Sequence, residues 1–166
     1  MNEINRTVYV DMDGVIVNFN GGIERISGKP RDYFGSDDSA WSVAENYGVE
    51  RFFIDLEWLD DGKELWSYVT SNFLRVKILS AMGKRNEVDN VVYKGKMTWL
   101  RRHIPSLRES DIILVVNKHK KQEYSKPNDI MIDDTKIVID EWISKGGIGI
   151  LHTNTRNTIK TLEQYV

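Results

Sequence analysis

The sequence predicts an α/β fold: a doubly wound parallel sheet with helices on both faces and a small, mainly helical cap inserted after the first strand. Three observations predict it. Five short β-branched runs are apolar at nearly every position rather than at alternate ones, the pattern of strands buried on both faces. Helical stretches separate these runs, the alternation that produces a parallel sheet. Residues 28–61, rich in Asp, Ser, Gly and aromatic side chains, are too long for a plain strand-to-helix connection and read as the cap. The expected division is therefore a core of residues 1–27 and 62–166 and a cap of residues 28–61.

Each element has its own warrant. Thr7–Asp11 is the first strand, and Gly14 suits a chain that leaves it in a sharp turn. Arg75–Ser80 is the second strand. In Lys96–Ile104, Trp99 and His103 share a helix face, and Pro105 ends the run. Ile112–Val116 and Ile130–Asp133 are the third and fourth strands. Thr135–Lys145 places Val138 with Trp142, and Glu141 with Lys145, at helical spacing before Gly146-Gly147 stops the helix. Ile148–His152 is the fifth strand, and Asn157–Val166 is expected to close the fold as a helix. No internal repeat or low-complexity segment interrupts this order.

Composition narrows the chemistry. The 166 residues contain no cysteine, which excludes disulfide scaffolds, Cys-ligated zinc, Fe–S clusters and thiol catalysis. The N-terminal residues lack an apolar core segment, so no signal peptide is expected, and no apolar run approaches the roughly 18 residues of a membrane span. A cytoplasmic protein with no membrane partner is the expectation. The net charge of −2 argues against a stable nucleic-acid partner. It conceals an asymmetry: residues 32–64 carry ten acids and two bases, residues 94–126 nine bases and three acids. These stretches read either as two solvated faces or, for the basic one, as a wall that attracts an anionic substrate.

Candidate site residues fall at strand ends, where ligands bind in open α/β sheets. Asp11 and Asp13 stand two residues apart directly after the first apolar run. Asp133 and Asp134 repeat the arrangement after the fourth. Two acidic pairs brought together need a counter-charge, and a hard cation with oxygen ligands, Mg2+, supplies it. Asp133 or Asp134 could instead cap the following helix. Ser80-Ala81-Met82-Gly83-Lys84 offers a hydroxyl, backbone N–H groups and a lysine for phosphate oxygens, with Ser80, Ala81 and Lys84 the candidate contacts. Lys118, Lys120, Lys121 and Lys126 all lie between the third strand and the Asp133-Asp134 pair, and one of them could neutralise both an aspartate and a phosphoryl group. Phe19, Trp41 and Phe53 are the aromatics expected to stack on a base, against the bland alternative that they form the cap's own core.

The order of these pieces resembles the haloacid dehalogenase superfamily, whose four motifs occur here at the strand ends. The chain is similar in particular to its small 5′(3′)-deoxyribonucleotidase branch of bacterial and phage type. The similarity rests on Asp11-Met12-Asp13-Gly14-Val15 followed by Asn18-Phe19, on Arg51-Phe52-Phe53-Ile54-Asp55-Leu56-Glu57, on Lys96 with Trp99-Leu100 and His103, on Ile130-Met131-Ile132-Asp133-Asp134, and on Gly146 through Thr153. The resemblance implies a Rossmann-like core and a stepwise phosphoryl transfer. Asp11 is then the nucleophile and Asp13 the general acid and base. The Asp11 carboxylate, the Asp13 backbone carbonyl and Asp133 hold Mg2+, Asp134 orients its waters or a lysine, and Ser80 and Lys121 bind the phosphoryl oxygens, with Lys120 the second choice of lysine.

The expected substrate is a small nucleotide, a deoxyribonucleoside monophosphate. The alternatives are a polynucleotide 3′-end, a sugar phosphate, or a non-catalytic nucleotide-binding module. The reading leaves room for a homodimer.

Overall fold

The computed structural model describes residues 5–83 and 89–166; the expected phosphate contact Lys84 lies outside them. Five parallel strands, β1 (Val8–Val10), β2 (Val76–Ala81), β3 (Ile112–Val115), β4 (Ile130–Asp133) and β5 (Ile148–Leu151), pair in the order β3-β2-β1-β4-β5. The first strand ends one residue earlier than the sequence pattern suggests. Asp11 still donates its N–H to the Ile132 carbonyl at 3.0 Å, but the Met12 carbonyl turns inward to accept the N–H groups of Val15, Ile16 and Val17.

The uninterrupted apolar strands are explained by two core layers. Val8, Val10, Ile78, Ile130, Ile132 and Ile150 face one layer with Trp99, Leu100, Leu65 and Phe52. Tyr9, Leu79, Met131 and Val115 face the other with Val138, Ile139 and Trp142.

Among the described residues seven α-helices accompany the sheet: α1 (Phe19–Ser27), α2 (Asp37–Tyr47), α3 (Val49–Ile54), α4 (Gly62–Asn72), α5 (Asp89–His103), α6 (Lys136–Ser144) and α7 (Thr155–Leu162). The Asn18 side chain caps α1 by accepting the Gly21 N–H, and Asn154 caps α7 by accepting that of Asn157. Helix α5 begins seven residues before the expected start, because its polar first turn and Gly95 hide two turns from the periodicity. Neither Asp133 nor Asp134 is the cap residue of α6. Thr135 occupies that position without a side-chain bond, and Asp133 Oδ1 accepts the Thr135 N–H.

Residues 28–61 form a 3-10 turn (Arg31–Phe34), α2 and α3, with Ser36 capping α2. Helix α3 packs closely on α5 at Gly95, where a β-carbon would lie 2.7 Å from Phe53 Cβ and 2.9 Å from the Glu50 carbonyl oxygen. Residues 57–59 then pair with residues 16–18. Among the described residues no helix is long and apolar enough to cross a membrane.

Candidate active site

Strand order reverses between β1 and β4, and a cavity of about 610 Å³ opens at their C-terminal ends. The register that pairs Val10 with Ile132 sets Asp11, which lines the cavity, beside fully buried Asp133. Gly14 makes the turn possible. Its φ is +78°, and a β-carbon there would stand 2.1 Å from Asp134 Oδ2.

Two buried lysines organise the carboxylates. Lys121, on a 3-10 helix (Lys118–Tyr124) after β3, places Nζ 2.9 Å from Asp11 Oδ1 and 2.6 Å from Asp133 Oδ2. Burial opposes its charge, but Asp11 and Asp133 outweigh burial and hold its pKa well above the ordinary ammonium range. Lys120 is exposed and pairs with Glu123 instead. Lys96, on α5, donates to Asp13 Oδ2 at 2.7 Å, Ser80 Oγ at 2.9 Å and the Ala81 carbonyl at 2.8 Å. All three ammonium hydrogens are thus used, as a buried lysine requires.

Lys96 was assigned no site role in the sequence. A signal was present: it lies between Val92 and Trp99 on the apolar stripe of α5, where an unpaired lysine would be costly.

Carboxylate oxygens of Asp11, Asp133 and Asp134 lie within 4.8 Å of one another. Burial and then Asp11 push Asp133 up to about 6, against the pull of Lys121; partial desolvation and then the Asp11 and Asp133 charges push the more exposed Asp134 up to about 7. With Asp13, four carboxylates face two ammonium groups, an excess of two negative charges once all four are ionised. A divalent cation with oxygen ligands fits that donor set and that charge. Asp134, expected to act on bound waters, stands within the cluster itself. One oxygen of Asp13, Oδ1, is buried with no hydrogen-bond partner among the described residues.

The cap side of the cavity is aromatic. Phe19 lies 6.2 Å from Trp41 with near-parallel planes, and Phe53 lies 5.8 Å from Trp41. All three line the cavity, with Arg31, Asp37 and Asp38 at its rim. Phe52 is instead fully buried in the core, and Trp58 and Trp66 lie in a separate groove. His152 also lines the cavity, at the end of β5. It shares a proton with Thr158 Oγ1 at 2.8 Å, and burial lowers its pKa against the pull of Asp61.

A strand-end Asp11-x-Asp13, a hydroxyl at Ser80, a lysine and an Asp-Asp pair converge here on one charge-dense crevice. The family model described as "5' nucleotidase, deoxy (Pyrimidine), cytosolic type C protein" matches residues 5–164. The chain belongs to this nucleotidase family. It is an enzyme of the haloacid dehalogenase superfamily, a phosphatase. No curated protein is similar enough in sequence to count as a match.

Solved structures share the fold at low identity. A hydrolase from Streptococcus pneumoniae TIGR4 aligns at TM-score 0.53 and 12% identity, covering 95% of this chain and 97% of that one. A superfamily subfamily IA hydrolase from Geobacter sulfurreducens PCA aligns at TM-score 0.52 and 15% identity, covering 95% and 96%. A superfamily hydrolase from Deinococcus radiodurans R1, solved with bound phosphate and sodium, aligns at TM-score 0.51 and 12% identity, covering 89% and 81%.

Proposed function

We propose that this nucleotidase is a Mg2+-dependent hydrolase of deoxyribonucleoside monophosphates that works through an aspartyl-phosphate. One observation carries the reading: a paired-aspartate crevice with two buried lysines opens directly onto the Phe19–Trp41–Phe53 box within one cavity. A cavity of about 610 Å³ falls within the roughly 300–1,000 Å³ of small-ligand sites. A flat base against the box leaves the phosphate at Asp11.

An Asp11 oxygen attacks phosphorus, and the bond from phosphorus to the ester oxygen breaks. Asp13 gives its proton to the departing alkoxide. Water then attacks the aspartyl-phosphate, Asp13 takes a proton from it, and phosphate leaves with Asp11 restored. Lys121 holds Asp11 in line, and Lys96 fixes Asp13 by one oxygen, which leaves Oδ1 for the proton. Ser80 and the backbone at Ala81 face the transferred oxygens. Asp11, Asp133 and the Asp13 carbonyl would hold Mg2+, with Asp134 beside it; when bound, the ion neutralises charge on the phosphoryl oxygens.

The deciding experiment is a phosphate-release screen across deoxyribonucleoside monophosphates and sugar phosphates, with Mg2+ and with chelator. Release from dUMP or dTMP that needs Mg2+, and little from sugar phosphates, is expected. Equal or faster turnover of sugar phosphates overturns the nucleotide reading and leaves the phosphatase assignment standing.

A further inference from the structure

Three aromatic residues that the mechanism does not use, Trp58, Trp99 and His103, form a connected unit on the outside of the site. Lys96, Trp99 and His103 recur at helical spacing on one face of α5. Lys96 enters the active site. Trp99 Nε1 donates to the Leu56 carbonyl at 2.8 Å in the interior. The His103 ring stacks on Trp99 at 4.4 Å, and its Nδ1 accepts the Trp58 Nε1 hydrogen at 3.1 Å.

Trp58 belongs to the segment that returns from the cap. That segment is tied in strand fashion to the turn after Asp13. The Asn18 N–H donates to the Glu57 carbonyl at 2.8 Å, the Leu59 N–H donates to the Ile16 carbonyl at 2.9 Å, and Trp58 bridges Val17. Val17 in turn bridges Asp13, and its carbonyl accepts the Gly14 N–H at 2.9 Å. Phe19, one wall of the aromatic box, follows Asn18 immediately.

We propose that His103 is a positioning residue: its Nδ1 lone pair holds Trp58, and through Trp58 it holds the paired segments 16–18 and 57–59 that set Phe19 against the substrate base. The inference rests on the nucleotidase reading for its substrate. The latch works only with a neutral ring that carries its proton on Nε2, because a proton on Nδ1 removes the acceptor. The charged groups that face the ring are Lys63 of α4, whose ammonium lies 6.0 Å from the Trp58 ring centre, and Arg102 of α5. Burial, Lys63 and Arg102 all lower the His103 pKa below the ordinary 6.5, so the acceptor form persists at neutral pH.

The test compares His103→Leu, which removes the acceptor, with His103→Asn, whose side-chain carbonyl can take its place, both in the full chain. His103→Leu is expected to raise KM for a deoxyribonucleoside monophosphate about five-fold with kcat within about two-fold, the sign of lost binding rather than lost chemistry. A merely structural role would lower the active fraction, and so apparent kcat, without moving KM. His103→Asn is expected to restore KM, and Trp58→Phe is expected to add nothing to His103→Leu, since both remove one interaction. The indole N–H resonance of Trp58, assigned by its loss in Trp58→Phe, should shift with pH around a midpoint below 6.5 in the wild type and not in His103→Asn.

An unchanged KM in His103→Leu, equal impairment in both His103 variants, additive effects, or an indole that does not titrate overturns the proposal. A wild type that hydrolyses no deoxyribonucleoside monophosphate defeats the nucleotidase reading and this proposal's substrate half. In that case the indole titration alone decides the latch.

Discussion

Asp13 is held by one oxygen and left open at the other, and the division suits a group that must pass a proton twice. Lys96 fixes Oδ2, and Oδ1 is buried without a partner. Asp13→Asn keeps the shape and a contact for Lys96 but cannot carry the proton. It is expected to lower kcat by roughly 10²-fold or more while substrate binding by calorimetry persists. Unchanged turnover would reject Asp13 as the acid and base.

At this scale the sequence was informative wherever a polar residue interrupts an apolar run at a strand end. Asp11, Asp13, Ser80 and Asp133 all stand out in that way. It was silent where the polar residue hides on a helix. Lys96 reaches the site from the middle of α5, and only the fold shows that its ammonium meets Asp13 and Ser80. Lys121 was one of four lysines between a strand and the Asp-Asp pair, and sequence spacing alone did not separate them. In the structure, burial between Asp11 and Asp133 distinguishes it from exposed, Glu123-paired Lys120.

Among the elements, α5 sets how closely α3 can pack. Gly95 lets α3 approach until the Glu50 carbonyl and Phe53 lie against its backbone. Gly95→Ala gains about 1 kcal/mol of helix propensity but forces a methyl into that contact, an overpacking cost of about 1–3 kcal/mol. A net loss of about 1 kcal/mol in urea unfolding is expected. A stabilised variant would mean that α3 yields freely. The five strands were legible to within a residue or two because parallel strands buried on both faces leave little room for polar residues. The start of α7 was not, because it begins in a polar turn where the Asn154 cap, not periodicity, sets the boundary. Residues 28–61 stand out in the sequence by length and composition, but the two α-helices within them and the segment at 57–59 do not, since those depend on partners in α5 and in the turn after Asp13.

For the molecule as a whole, the crowded carboxylates tie stability to pH. Asp133 and Asp134 titrate in the fold at about 6 and about 7, above their ordinary 3.8. The folded protein therefore binds more protons than the unfolded chain between these values. The resulting stability is present in full below about 4 and is lost as pH rises through about 7. His103 and His152 act in the opposite sense, since their lowered pKa values favour the fold above 6.5 and lose that advantage as pH falls below it. Without divalent cation, Tm should therefore carry a falling component from pH 5 to pH 8 that Asp134→Asn reduces. Mg2+ should raise Tm more at pH 8 than at pH 5, because at pH 5 it must displace protons. Equal Mg2+ shifts at the two pH values would show that these carboxylates do not hold the ion.

The central place of β1 has a consequence for how the chain is made. Of these five strands β1 is made first yet lies in the middle of the sheet, and Val8 pairs with both Val76 and Ile130. Until residue 130 has emerged, β1 has an unpaired edge, and Asp11 at its end has no Asp133 beside it. Contacts of such long sequence separation are slow to form and leave apolar strands open in the meantime. Synthesis thus withholds the Asp11–Asp133 pair until β4 has been made, so no nascent fragment that stops short of β4 contains the paired-aspartate crevice.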